Sequence, residues 1–177
     1  MLTIKRENAT LILVDYQSRL MPVIDRAVDV LANARRLLDA ASMLDVPVVF
    51  TEQNARGLGG TVAELPVAGS RIAHKMTFDS CRTPGFSEML IKDHDIVIAG
   101  CEAHICLLQT VLGLLDGGRK VYVVRDAVGA RHSESKETAL KRMAHHGAEI
   151  VTTEMVVFEW IQSAEHPRLR DIVRLVK

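Results

Sequence analysis

The chain has no run approaching the ~20 apolar residues that a membrane-spanning helix needs. Its amino terminus, Met1-Leu2-Thr3-Ile4-Lys5-Arg6, carries no apolar stretch after its charges. Neither a membrane partner nor a secretory leader is expected. Net charge is also missing, since 22 Lys and Arg balance 22 Asp and Glu. That argues against the basic footprint of a nucleic-acid binder. Aromatic residues are only 4% of the total, too few for base-stacking platforms. Cysteine is scarce and odd in number: Cys81, Cys101 and Cys106, none in a Cys-x-x-Cys pair. A disulfide framework or zinc knuckle is not expected, and a reducing cytoplasm is the expected setting. No Gly-x-Gly-x-x-Gly follows the first apolar run, which argues against a dinucleotide-binding domain. Gly57-Leu58-Gly59-Gly60 lacks the Lys-Ser/Thr ending of a phosphate cradle and reads as a flexible loop.

What the sequence does have is apolar residues, 48% of 177, enough to build one domain over 1–177 around a sizeable core. Thr10–Val14, Val48–Thr51, Ile96–Ala99, Lys120–Val124 and Glu149–Val151 are short apolar runs rich in β-branched residues. Runs of this kind suit strands covered on both faces. Helical spacing is expected over Ala27–Leu44, Thr83–Ile91, Ala103–Leu115, Ser133–His146, Thr153–Ile161 and His166–Val176, with one turn over Thr61–Leu65. Pro84 fits a first helical turn, and Asp116-Gly117-Gly118 and Gly147 fit helix ends. Thr153 is read as a cap. No element is expected over Ser70–Ser80. Strands alternating with helices predict an α/β chain with a doubly wound, mostly parallel sheet.

Polar residues at strand ends mark where such a sheet would hold a ligand. Asp15 follows the first apolar run, where a carboxylate is costly to bury unless it is paired or reactive; the alternative is a turn cap. Cys106 falls in the first turn of the helix after Ile96–Ala99. Unpaired N–H groups and the positive end of the helix dipole there favour the nucleophilic thiolate. An inert core thiol is the competing reading. Lys75, between predicted elements, reads on its own as a solvated surface lysine. His104, two residues before Cys106, faces another side of a helix, which suits a loop or subunit contact better than catalysis. Cys81 and Cys101 read as structural thiols, and His145-His146 has no companion ligands at metal spacing.

Taken together, Leu11-Ile12-Leu13-Val14-Asp15-Tyr16-Gln17, His74-Lys75-Met76-Thr77-Phe78-Asp79-Ser80 and Ala99-Gly100-Cys101-Glu102-Ala103-His104-Ile105-Cys106 resemble the isochorismatase-like cysteine hydrolases. Thr51-Glu52-Gln53, Gly57-Leu58-Gly59, Leu114-Leu115-Asp116-Gly117-Gly118 and Val124-Arg125-Asp126-Ala127 extend the likeness over about residues 8 to 175. The resemblance implies a three-layer α/β/α fold. It implies Asp15 as general base, Lys75 as cationic orienter and Cys106 as nucleophile. It also implies a non-proline cis peptide near Cys101-Glu102, with the N–H groups of Glu102 and Cys106 as an oxyanion hole. Gln17, Gln53, Phe78 and His104 are candidates to line a substrate pocket. Nicotinamidases of this family carry an Asp-x-His metal site after the second strand, whereas this chain reads Glu52-Gln53-Asn54. No metal and no other cofactor is therefore expected. The expected activity is hydrolysis of an amide- or ester-type bond in a small molecule through a thioester. A vinyl ether hydrolase and a non-catalytic scaffold keeping the fold are the alternatives. A homo-oligomer is expected from the family and from the apolar Leu169–Val176 segment, which could pack on a partner.

Overall fold

The near-continuous apolar runs do form buried strands. The computed structural model describes residues 2–177 and contains one six-stranded sheet, all parallel, in the order β3-β2-β1-β4-β5-β6. The strands are β1 (Ala9–Val14), β2 (Val48–Gln53), β3 (Arg71–Lys75), β4 (Asp95–Gly100), β5 (Val121–Val124) and β6 (Glu149–Val151). Alternate residues feed two cores. Leu11, Leu13, Phe50, Val97, Ala99 and Tyr122 face one side. There they meet α1 (Ala27–Met43), α6 (Thr153–Ile161) and α7 (Leu169–Val176). Ile12, Val14, Val49, Ile96, Ile98 and Val123 face the other. They meet α3 (Phe86–Met89), α4 (Leu108–Asp116) and α5 (Ser133–His145). The result is the three-layer α/β/α arrangement.

The chain winds one way through β1, β2 and β3 and the other way through β4, β5 and β6. The reversal lies between β1 and β4, whose carboxyl ends flank the crevice where such sheets bind ligands. Val14 sits between Thr51 and Gly100 in the ladder. Gly100 is needed at that point because a Cβ there would lie 2.4 Å from the Val14 carbonyl oxygen.

Several local expectations need correction. β3 is a strand within a stretch expected to hold none. It is an edge strand in which only Ala73 and Lys75 are buried, so it lacks the continuous apolar run that marks β1 and β4. The helix expected over Thr83–Ile91 is only Phe86–Met89, preceded by a 3₁₀ turn at Ser80–Arg82. Thr61–Leu65 is not helical; Thr61 instead forms an isolated antiparallel bridge with Gln17. The one-turn helix lies in the supposed flexible loop, as α2 (Ala55–Leu58). Thr152, not Thr153, caps α6, accepting from the Met155 N–H. Thr153 instead donates both its N–H and its hydroxyl to Asp126. The apolar side of α7 is used within the chain: Ile172 is buried, and Leu169, Leu175 and Val176 pack on the core shared with α1. That helix therefore supplies no argument for a partner. Among the described residues, no helix is long and apolar enough to cross a membrane.

Candidate active site

Asp15 is the first residue beyond β1. It adopts φ +52°, a left-handed conformation that aspartate tolerates better than most residues. Its N–H donates to the Thr51 carbonyl. Its Oδ1 accepts from the Thr51 hydroxyl at 2.6 Å, and its Oδ2 from Lys75 Nζ at 2.7 Å. The Asp15 and Lys75 side chains are fully buried. The solvated-lysine and turn-cap readings are thereby overturned.

Lys75 ends β3 and is paired in register with Gln53, which ends β2. An ammonium has three donors, and each one here has an acceptor. They are Asp15 Oδ2, Gln53 Oε1 at 2.8 Å and the Phe78 carbonyl at 3.4 Å. A buried charge is tolerable when it is paired and hydrogen-bonded in this way. With all three donors engaged, Lys75 is placed to hold its neighbours rather than to grip a ligand.

Cys106 enters from the other half of the sheet. Residues Ala103–Leu107 form a π-helical turn ahead of α4, a local irregularity often found at functional sites. Cys106 is 6% exposed, and its Sγ lies 3.9 Å from Gln53 Oε1. Asp15 and Lys75 both act on this thiol. Burial pushes it up to about 12, and the Asp15 carboxylate adds to that more strongly than Lys75 opposes it. The pull toward the thiolate expected from the helix start and from Lys75 is opposed here by burial and by Asp15. The group rests as a thiol, poised beside a carboxylate able to take its proton.

The turn that carries Cys106 begins at Cys101-Glu102, joined by a cis peptide bond. The N–H groups of Ile105 and Leu107 both donate to the Glu102 carbonyl, whereas that of Cys106 does not. Ala103 N–H is used by the Gly129 carbonyl. Among the described residues, the Glu102 N–H has no protein acceptor. The Glu102 carboxylate is pinned by the Arg131 N–H at 3.0 Å and by its Nε at 3.1 Å.

The proposed pocket residues part company. Gln53 lies within the cluster. Gln17 lies behind it: its Oε1 accepts from Gln53 N–H, and its Nε2 donates to the carbonyls of Gln53 and Gly59. No polar group of that amide is left for a substrate. Phe78 exposes its ring on the loop after Lys75 while its carbonyl faces the ammonium. His104 points elsewhere, into a cavity of about 370 Å³ lined by Leu108, Glu134, Thr138 and Arg142. A larger cleft of about 740 Å³, beside Cys81, Gln109, Arg142 and His146, is likewise apart from Cys106. The cluster itself is nearly closed in the single chain. Sequence reasoning missed Thr51 as a partner of Asp15. Its one signal was a hydroxyl residue at the end of a strand that runs in step with β1.

The three cysteines are all held protonated by burial. Cys81 is pushed up to about 12, like Cys106, and Cys101 is raised further. An unfolded thiol ionises near 8.5. Above that pH the unfolded chain binds fewer protons than the folded one, so stability falls as pH rises. Melting temperature is expected to decline from about pH 8.5 upward, and Cys81→Ser should flatten the decline. A melting temperature indifferent to pH between about 8 and 10.5 would contradict this.

Comparison with known proteins places this chain among relatives. The isochorismatase domain model matches residues 9–155. The chain is 35% identical to isochorismatase domain-containing protein 2 of Danio rerio over 173 residues, 96% of this chain and 87% of that one. It is 34% identical to isochorismatase domain-containing protein 1 of Danio rerio over 166 residues, 92% of this chain. It spans only 59% of the length of that second relative. A solved structure described as a MAR1 ribonuclease from Caenorhabditis elegans superimposes with a TM-score of 0.93 at 33% identity, covering 98% of this chain and 92% of that one.

Proposed function

The chain belongs to the isochorismatase family, and from that premise we propose that it is a cysteine hydrolase acting on an amide- or ester-type carbonyl of a small molecule. Asp15 takes the proton from the Cys106 thiol as Sγ attacks the carbonyl carbon. The N–H groups of Glu102 and Cys106 receive the developing oxyanion, each such donor being worth ~2.7–4 kcal/mol in comparable sites. Collapse of the tetrahedral intermediate expels the amine or alcohol, which takes the proton from Asp15 and leaves a thioester on Cys106. Asp15 then removes a proton from water, the resulting hydroxide attacks the thioester, and the acid is released with the thiol restored. Lys75 holds the Asp15 carboxylate in line through its bond to Oδ2. A homo-oligomer in the cytoplasm is part of the same proposal.

The observation that carries the reading is a convergence from the ends of β1, β2 and β3 and the turn after β4: Lys75 Nζ bonds Asp15 Oδ2 at 2.7 Å and Gln53 Oε1 at 2.8 Å, and Cys106 Sγ lies 3.9 Å from that same Gln53 oxygen. The test is a panel of amides, esters, N-carbamoyl compounds, a vinyl ether and a short RNA. Mass spectrometry of quenched reactions reports on the enzyme itself. Turnover of an acyl compound with a matching acyl mass on the Cys106 peptide is expected. Turnover confined to the RNA or the vinyl ether, with Cys106 unmodified, would overturn the proposal.

A further inference from the structure

One polar side chain in the cluster has no part in that cycle. Gln53 is 7% exposed, and its Oε1 faces two donors, Lys75 Nζ at 2.8 Å and Cys106 Sγ at 3.9 Å. Its Nε2 donates to the Met76 carbonyl at 2.8 Å. A carbonyl can only accept, so this bond fixes which end of the amide points at the reacting group. The Gln53 backbone is clamped as well. Gln17 accepts from its N–H and donates to its carbonyl. A side chain held at this many points is preorganised.

We propose that Gln53 is a positioning residue that seats Lys75 against Asp15 and gives the resting Cys106 S–H an uncharged acceptor. This rests on the hydrolase reading above. A thiol that stays protonated needs somewhere to direct its hydrogen. Gln53 accepts it without adding charge, so rotation about the Cβ–Sγ bond delivers the proton to Asp15 when substrate arrives. The lack of charge is the important property. A glutamate at this position would still accept from Lys75, but it would set a second carboxylate beside Asp15 and compete for the single ammonium. A second negative charge disfavours the thiolate.

Two variants separate positioning from mere structure. Gln53→Met removes the acceptor at similar volume. It should lower kcat by about 10- to 100-fold with KM within about 3-fold, the pattern of an interaction lost in the transition state. Gln53→Glu restores an acceptor for Lys75 but adds charge. It should slow iodoacetamide alkylation of Cys106 by about 10-fold at pH 8 and displace its pH profile to higher pH, one unit corresponding to tenfold. A purely structural role predicts lower melting temperatures in both variants, with kcat and the alkylation profile of the folded protein unmoved. That outcome overturns the proposal. Lys75→Met is run alongside. If it slows alkylation and turnover while both Gln53 variants behave as wild type, only the role of Gln53 falls. If turnover ignores Lys75→Met as well, the hydrolase reading falls with it.

Discussion

Cys106→Ala is expected to reduce turnover of any acyl substrate by about a thousandfold or more, because removing the nucleophile of a covalent mechanism removes the whole route and not one contribution to it. The fold should survive the change. Cys106 sits in the turn just before α4, and alanine keeps the helical backbone while vacating the space of one sulfur. Cys106→Ser should also fail, since a hydroxyl is far less acidic than a thiol and Asp15 is already paired with Lys75 and Thr51. Cys81→Ala provides the internal control. It lies beside the cleft formed with Gln109 and His146 and should turn over as wild type does. Steady-state kinetics of the three variants, with circular dichroism to confirm folding, check the assignment. Retention of wild-type turnover by Cys106→Ala would reject the nucleophile outright.

The central strands are legible because burial on both faces leaves a plain trace in sequence. β1 and β4 need apolar residues at nearly every position, and Thr10–Val14 and Ile96–Ala99 supply them. β3 is illegible for the opposite reason. As an edge strand it buries only alternate residues, and one of the buried ones is the charged Lys75. Lys75 can therefore be placed from sequence only through its likeness to a family motif. Physical reasoning about a lone lysine points to the surface. The protonated state of the resting thiol is hidden because the helix-end argument counts one favourable field. Burial and the negative charge of Asp15 depend on how closely the chain closes around the sulfur, and spacing along a sequence does not carry that. Gln53 and Gln17 show the same limit. Both are glutamines near strand ends, yet one faces the thiol and the other braces the backbone behind it. The strand register decides between those roles.

Asp15→Asn should give a more diagnostic result than loss of activity alone. The amide that replaces the carboxylate cannot accept the thiol proton, so turnover should fall by about 10²- to 10⁴-fold, the usual contribution of a general base. Alkylation of Cys106 should move the other way. The Asp15 carboxylate is one of the causes holding the thiol high; without it, more thiolate exists at a given pH and iodoacetamide reacts faster. Lys75→Met removes the opposing influence and should slow alkylation while also depressing turnover. Each change leaves one buried charge without its partner, at a cost of roughly 3–5 kcal/mol, so both melting temperatures should drop. Combining Asp15→Asn with Lys75→Met eliminates both charges and should recover part of that loss. Alkylation rates at pH 8, measured on folded protein with the labelled cysteine identified by peptide mapping, separate the cases. An inert core thiol would label sluggishly and alike in every variant. A base and an orienter acting on one sulfur require the two single substitutions to shift labelling in opposite directions, and a shift in the same direction would break the triad.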